Sequence, residues 1–468
     1  MIRDSKGAPP EALSGIWRLR LRVEAPVSRF LRLEAAGGVI LLVITVVAML
    51  WANISPESYR HLWETRLIFG VGGWRVQPTL HEFINDGLMS VFFLLVGMEI
   101  KREIVEGELS TLRRALLPVA AALGGMIAPA IIYAGLNPAS PNVRGVAVPT
   151  ATDIAFAVGV LMLLGKRVPP ALRIFLLTLA VADDLGAILV INVFYSGAVR
   201  MLPLLVGGGC ALALVYFVRW HGLRSGWWYA IPGIVAWVSF HKAGLHPTLA
   251  GVLIGLLIPS KSWMPLNKVR DLISDFRSEL EKAGGSDKEI AESAEQTRAL
   301  LSEGLLSPLT RIEMSLHGPV IFFILPAFAL ANAGVSLQGL DLGAHGALWT
   351  ALGVTLGLLV GKPLGIVAAT FVMTKFKLAT LPAALDRRGV LLAGLLGGVG
   401  FTMANFTAAL AFARPEEAAL LAAAKLGILF GSFLAGLAGY FLGPRLLPRV
   451  TPEEAAQTDE EAERSDNR

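Results

Sequence analysis

The chain has 468 residues, of which 54% are hydrophobic and 16% are charged, and its mean hydropathy is +0.62. Soluble globular proteins carry about 25% charged residues, so this composition excludes a soluble globular class and indicates a membrane protein. The excess of 41 basic over 36 acidic residues needs no nucleic-acid partner, because Lys and Arg gather in short loops, as membrane orientation requires. The single Cys210 excludes an intrachain disulfide and a cysteine-based metal cluster.

Residues 1–29 are polar and basic and lack the apolar core of a signal peptide, so we interpret them as a cytoplasmic N-terminal lead-in. Apolar runs of spanning length follow one another through 30–443, which predicts an all-α integral membrane domain with about twelve transmembrane helices. The predicted runs are 33–52, 83–100, 115–135, 149–165, 172–196, 201–219, 227–243, 245–259, 315–336, 346–373, 389–413 and 418–443.

Basic residues concentrate in alternate links between these runs. The links after the second, fourth, sixth, eighth and tenth runs are rich in Lys and Arg, whereas the other links, except the first, are sparse. By the positive-inside rule, both termini are predicted to be cytoplasmic. The same reasoning makes 260–311 a charged cytoplasmic insert with some helix. The tail 444–468, rich in Glu, Asp and Ala, is predicted to be cytoplasmic and disordered.

Two adjacent carboxylates, Asp183 and Asp184, lie in the middle of the fifth apolar run. A charge at the bilayer centre costs roughly 2.5–3.5 kcal/mol on insertion scales. The pair is therefore tolerated only if it faces protein, water or a cation, or if one carboxylate holds a proton. A buried structural pair is one interpretation; an ion or proton site is the interpretation that we favour.

Two other runs contain residues that interrupt a helix. The fourth run begins with Pro149, Thr152 and Asp153, and the eleventh contains the glycines Gly397, Gly398 and Gly400. Proline removes a backbone donor, and each glycine weakens a helix by about 1 kcal/mol relative to alanine. One interruption in each half of the chain predicts two discontinuous helices, whose half-helix ends are what secondary transporters use to hold ions.

Further ionisable side chains lie within or beside the predicted spans. Lys362 is deep in the tenth run, where it must pair with a carboxylate or lose its proton. The remaining candidates lie near the ends of runs. A lone histidine at a helix end more often forms a local hydrogen bond than serves a function, although the pKa of histidine suits a pH sensor. These remaining candidates are Asp86, Glu99, Glu103, His246 and Glu313.

Six motifs in register resemble the NhaA family of sodium/proton antiporters, over nearly the whole membrane region. They are Phe83-Ile84-Asn85-Asp86-Gly87-Leu88 with Phe92-Phe93-Leu94-Leu95-Val96-Gly97-Met98-Glu99, Ala151-Thr152-Asp153-Ile154-Ala155-Phe156, Asp183-Asp184-Leu185-Gly186-Ala187, Asn332-Ala333-Gly334-Val335-Ser336-Leu337, Gly361-Lys362-Pro363-Leu364-Gly365 and Gly400-Phe401-Thr402-Met403. The chain departs from the family pattern at two places. The insert 260–311 is longer than in the best-known NhaA antiporter, and Arg311-Ile312-Glu313-Met314 lacks the histidine expected after the glutamate.

The resemblance implies a twelve-helix inner-membrane exchanger with inverted repeats, in which the broken helices four and eleven cross near the centre. By this resemblance Asp184 is the main Na⁺ and proton ligand, and Asp183 is either a second ligand or the partner of Lys362. Asp153 balances the facing helix ends, and Thr152 lends an oxygen to the ion. Positions linked to the pH response are Glu99, Glu103, His246 and Glu313, with Asp86 as a further candidate.

These residues support a mechanism in which Na⁺ and a proton compete for the same carboxylate, because a carboxylate holds either a proton or a hard cation. The sequence therefore predicts an electrogenic Na⁺(Li⁺)/H⁺ antiporter of the bacterial inner membrane. It would extrude Na⁺ for pH and sodium homeostasis by alternating access, with no enzymatic activity and no cofactor. A homodimer through the first link, which contains several β-forming residues, is a further expectation from the family.

Three other classes compete with this interpretation. An intramembrane aspartyl protease would need Tyr-Asp and Gly-Asp motifs, and neither dipeptide occurs in the sequence. A cation channel would need a repeated carbonyl filter or a ring of acids from several subunits. A carrier for an organic solute is disfavoured, though not excluded, by the small carboxylate site. The sequence leaves the pH profile, the Na⁺ and Li⁺ affinities and the exchange ratio open.

Overall fold

The computed structural model describes residues 36–71, 74–195, 199–221, 227–261, 274, 306–338, 343, 346–382 and 385–447. The predicted lead-in 1–29, most of the predicted insert and residues 448–468 of the predicted tail lie outside the described residues. Nearly all regular structure in the described part of the chain is helical.

Within these ranges, eight helices are long and apolar enough to cross a membrane, and two further helix pairs qualify if each bent pair counts as one span. We number the helices in chain order. They are α1 Ala36–Ile54, α2 Pro56–Glu64, α3 Leu80–Val105, α4 Leu112–Leu136, α5 Ile154–Leu163, α6 Pro170–Tyr195, α7 Met201–Trp220, α8 Trp227–Ala243, α9 Thr248–Leu257, α10 Pro308–Asn332, α11 Ala347–Lys375, α12 Arg387–Gly397, α13 Phe401–Ala411 and α14 Ala418–Leu446.

Each of the twelve predicted runs overlaps one of these helices or a bent pair. Helix α8 has 17 residues and α9 has 10, which is short for a span, so the count of twelve crossings stays a prediction. The ninth run begins earlier than predicted, because Ser307 accepts from the Thr310 amide as an N-cap and Pro308 occupies the first helical position. Residues 308–311 of the predicted insert therefore belong to α10.

The two predicted interruptions are present. A 3-10 helix, Asn142–Thr150, is joined to α5 by the non-helical residues 151–153, with a bend of 44°. Helices α12 and α13 are separated by residues 398–400, with a bend of 47°. Pro149 lies inside the 3-10 helix, and Gly397 is the last residue of α12. Sequence breakers thus coincide with backbone breaks in both halves of the chain.

A small hairpin follows α2. Strand β1, Phe69–Val71, pairs antiparallel with β2, Trp74–Val76, in the register Phe69↔Val76, Gly70↔Arg75 and Val71↔Trp74. A two-stranded ribbon leaves both of its outer edges without strand partners.

Close helix packing surrounds the breaks. Helices α4 and α11 approach each other so closely that a Cβ added at Gly365 would collide with the backbone of Gly124, and would lie 2.9 Å from the Ala128 methyl. A π-helical segment of α11, Gly357–Gly361, immediately precedes Lys362. Such segments are rare and often occur at functional sites. The glycine contact brings this part of α11 against α4, in the interior of the domain.

Candidate ion-binding site

The two breaks contact each other directly. The Asp153 amide donates to the Val399 carbonyl at 2.7 Å, and the Thr152 hydroxyl donates to the Gly397 carbonyl at 2.8 Å. In the other direction, Thr402 donates its amide and its hydroxyl to Asp153 Oδ2, at 3.0 and 2.5 Å. Each break therefore satisfies backbone groups that the other leaves without helical partners.

Asp153 lies at the N-terminal ends of two helices. Its Oδ1 accepts from the Phe156 amide at 3.0 Å and so caps α5, while its Oδ2 is bound at the first turn of α13 by Thr402. The first turn of a helix carries partial positive charge, which favours an anion. One buried carboxylate thus faces the positive ends of both half-helices, which fits the balancing role that the family resemblance implies.

Lys362 and Asp183 form a buried ion pair. The Lys362 side chain is 1% exposed, and its Nζ donates to Asp183 Oδ2 and to the Thr152 hydroxyl. The pair links α6, α11 and the break before α5. The second oxygen of Asp183 is buried without a hydrogen-bond partner among the described residues. The basic partner predicted for the first aspartate is therefore in contact with it.

Asp184 lines a cavity of about 280 Å³. Because Asp184 is buried and the lining residue Glu106 is exposed, we place the closed end of the cavity at Asp184 and its mouth at Glu106. The residue is 1% exposed, and its Oδ1 is buried with no hydrogen-bond donor in the described part of the chain. The cavity extends from Asp184, past Asp153 and Thr402, to Glu106 and Glu108 beyond the C-terminal end of α3. Of the two adjacent aspartates, Asp184 is the one that reaches this cavity.

Acidic side chains continue along the cavity towards its mouth. Glu99 and Glu103 lie on α3 and line the wall. Glu103 Oε1 accepts from the Thr178 hydroxyl at 2.8 Å and from the Glu108 amide at 3.0 Å, which ties the end of α3 to α6. The negative lining favours the approach of a cation over that of an anion.

Glu313 lies close by on α10 and accepts from Arg102 Nη1 at 2.5 Å. Its side chain is 5% exposed, and its Oε2 has no hydrogen-bond partner among the described residues. Two of the residues linked by resemblance to the pH response, Glu99 and Glu103, thus line the cavity, and Glu313 binds a third lining residue, Arg102.

Two other predicted residues are not part of the cavity lining. Asp86 lies in the π-helical start of α3, where its carbonyl accepts from Trp237 Nε1 at 2.9 Å. His246 lies in the connection between α8 and α9, and burial lowers the pKa of its imidazole. The structure therefore separates these two residues from the aspartates of α6.

Sequence reasoning missed three residues of the site. Thr402 binds Asp153, Thr178 binds Glu103, and Arg102 binds Glu313. Thr402 follows the glycine break directly and stood within a quoted motif, so its place in the first turn after a break could have indicated it. Thr178 and Arg102 carry no comparable local pattern.

The donor atoms determine which ligands this site suits. Carboxylate and hydroxyl oxygens meet at the breaks, and the described residues contain no group of three or more His, Cys, Asp or Glu side chains placed to hold a metal ion. Small hard cations prefer oxygen ligands. A carboxylate with an unpaired oxygen in a cavity that further acidic side chains line fits transient binding of such a cation better than a resident metal.

Comparison with known proteins shows the family of the chain. The chain matches the family described as Na⁺/H⁺ antiporter 1 over residues 28–442. It belongs to that family. It is 47% identical to an antiporter of Sorangium cellulosum named Na(+)/H(+) antiporter NhaA 2, over 99% of this chain and 98% of that protein. A protein of the same name from Myxococcus xanthus is also 47% identical, over 98% of this chain and 97% of its own length.

A third relative, named Na(+)/H(+) antiporter NhaA, comes from a Janthinobacterium species and is 45% identical over 95% of this chain and 99% of that protein. The matched residues 28–442 include both breaks, the Asp183–Asp184 pair and Lys362. The family resemblance carried by the six motifs is therefore confirmed. The mostly helical membrane fold of this transporter family is confirmed with it.

Proposed function

We propose that this member of the Na⁺/H⁺ antiporter 1 family exchanges Na⁺, and Li⁺ as well, for H⁺ across a bacterial inner membrane. The observation that carries the proposal is the position of Asp184, with an unpaired carboxylate oxygen at the closed end of an acid-lined cavity. Relatives whose names state this exchange are 45–47% identical along nearly the whole chain.

The exchange rests on competition at Asp184. The carboxylate binds either a proton or Na⁺, because both use the same oxygen lone pairs. A cation that enters the cavity displaces the proton, and a proton that enters later displaces the cation. The N-terminal ends of α5 and α13 lie beside the site, and their partial positive charges face it, as half-helix ends do in other secondary transporters. This chemistry needs no cofactor and breaks no covalent bond.

Electrogenic exchange needs a second proton for each Na⁺. We propose that the Asp183–Lys362 pair supplies it. In this conformation Lys362 Nζ contacts Asp183 Oδ2, which supports the role of Asp183 as the partner of the lysine. When Na⁺ recruits a second carboxylate oxygen, the lysine loses its partner in a buried site and releases a proton. The membrane potential then drives Na⁺ out of the cell.

Alternating access requires that the site be reached from one side at a time. The cavity mouth lies at the α3–α4 link, and the helix ends on either side of this link carry Lys101, Arg102, Arg113 and Arg114. The positive-inside rule assigns such a basic cluster to the cytoplasm. We therefore propose that this conformation faces inwards and that both termini are cytoplasmic. Rocking of the two halves around the breaks would expose the same carboxylate to the outside.

The surroundings of the protein follow from its surface. Large apolar side chains are exposed along helices that qualify as spans, such as Val43 and Leu50 on α1, and we propose that lipid covers them.

We also propose that the β1–β2 hairpin pairs with a second copy, because its outer strand edges are unpaired in the ribbon. Crosslinking in membranes, with and without the hairpin residues 69–76, tests the dimer.

A pH-stepped dequenching assay in everted membrane vesicles tests the exchange. The vesicles are energised, and Na⁺, Li⁺ or K⁺ is then added at each pH. The proposal expects proton movement with Na⁺ and Li⁺ and a much smaller response with K⁺. A response to K⁺ alone would contradict the proposed substrate.

A further inference from the structure

Two asparagines with buried amide oxygens lie beyond the closed end of the cavity. Asn192 follows Asp184 by about two turns of α6, and Asn405 follows Thr402 by about one turn of α13. Each Nδ2 donates to the carbonyl four residues earlier, Asn192 to Ile188 and Asn405 to Phe401, at 2.8 Å in both cases. The amide nitrogens are therefore engaged, and the amide oxygens remain as acceptors.

Neither amide oxygen has a hydrogen-bond donor within the described part of the chain, although both atoms are buried. Asn405 as a whole is 2% exposed. Buried side-chain acceptors are usually hydrogen bonded, so each exception requires an explanation. The hydroxyl of Thr407, a neighbour on the same helix, shows the ordinary pattern, because it donates to the Met403 carbonyl at 3.0 Å.

Both amides lie on the side of Asp184 that is opposite to the cavity mouth. On α6, Thr178 lies near the mouth, Asp184 at the closed end, and Asn192 further on towards Tyr195. Helix α13 likewise leads away from the break after Thr402. The Tyr195 side chain packs against the apolar cluster to which Ala404 and Ala408 of α13 belong, so the end of α6 and this part of α13 border the same cluster.

We infer that Asn405 and Asn192 are successive oxygen ligands for Na⁺ on the outward half of the path, used when the site opens away from the cavity. The inference deepens the proposed function and rests on it. Amide carbonyl oxygens bind hard cations. They carry no net charge, so they hold the ion weakly, as release requires. An amide does not titrate near neutral pH, so these residues serve the cation and not the proton.

The test compares the two faces of the membrane. Na⁺-driven proton movement is measured in everted and in right-side-out vesicles that contain Asn405→Leu or Asn192→Leu at matched protein abundance. The inference expects the apparent KM for Na⁺ to rise about fivefold at the outer face and to stay within about twofold of wild type at the inner face. The change should be the same at every pH where exchange is measurable.

Two variants on the same helix serve as controls. Asn405→Thr keeps an oxygen at the position and should retain most of the outer-face affinity. Thr407→Val removes a buried hydroxyl that is already engaged and should leave both KM values unchanged. Equal changes at both faces, or no change in either asparagine variant, would overturn the inference. Wild-type vesicles that exchange no Na⁺ would instead overturn the proposed function.

Discussion

The two sides of the central carboxylates are built differently. On the side of the cavity mouth, acidic residues such as Glu99 and Glu103 line an open cavity that reaches Asp184. Along α13, beyond the break, apolar side chains pack together instead, and the ring of Phe406 lies 5.3 Å from that of Phe93 and 6.3 Å from that of Phe328. Among the described residues, an acid-lined cavity thus reaches the carboxylate on one side, and an apolar cluster packs along the helix on the other, which suits an exchange with access from one side at a time.

The adjacent aspartates show the same contrast at the scale of single residues. Asp183 is paired through Oδ2 with the buried Lys362, whereas Asp184 lines the cavity. Two equivalent side chains on one helix are thus separated into a paired and an open carboxylate by what the neighbouring helices place against them. The predictions below test this separation.

Loss of the open carboxylate should have the largest effect. Asp184→Asn is expected to abolish Na⁺-driven proton movement in proteoliposomes, because an amide can neither carry the proton nor supply the charge that holds Na⁺. Asp184→Glu, which keeps a carboxylate, should retain part of the exchange. Wild-type exchange by Asp184→Asn would contradict the proposed role.

Loss of the lysine should destabilise the protein. Lys362→Ala leaves Asp183 buried without its cationic partner, and breaking such a pair typically costs about 3–5 kcal/mol. Thermal unfolding in detergent measures the effect. The double variant Lys362→Ala with Asp183→Asn removes both charges and should recover most of the loss. A double variant as unstable as Lys362→Ala alone would show that the ion pair is not the cause.

The contact between the breaks should have an intermediate effect. Thr402→Val removes the hydroxyl that donates to Asp153 and should lower the free energy of unfolding by about 1.5–3 kcal/mol, the usual range for a hydrogen bond to a charged group. The rate of Na⁺/H⁺ exchange should fall, because the two breaks are held together less firmly without this hydrogen bond. Thr402→Ser keeps the hydroxyl and is the matched control. Equal losses in both variants would point to packing of the methyl group instead.

The smallest effect is expected at His246, which lies outside the cavity. Burial lowers the pKa of His246 below its ordinary value of about 6.5, so the unfolded chain takes up a proton first as the pH falls. The native state therefore loses stability as the pH drops below about 6.5. His246→Asn should remove this pH-dependent loss of stability, so the thermal midpoint of the variant should fall less than that of wild type between pH 7.5 and 5.5. Identical pH dependence of the two midpoints would contradict the assignment.

The sequence was sufficient for the features that local chemistry determines. Charges within apolar runs indicated Asp183, Asp184 and Lys362, and glycine and proline indicated the two breaks. The partners of those residues depend on chain segments that only the fold brings together. Thr402 lies 249 positions from Asp153, and Glu313 lies 211 positions from Arg102, so no local pattern could pair them. The start of α10 was missed because polar residues in its first turns resemble a loop.

The most direct test of competition at Asp184 is proton release on Na⁺ binding. Purified protein in weakly buffered detergent solution receives Na⁺, and the protons released are counted while Na⁺ binding is measured in parallel. The proposed exchange predicts that Na⁺ releases protons from the wild type and none from Asp184→Asn. Binding of Na⁺ to the wild type without proton release would contradict it.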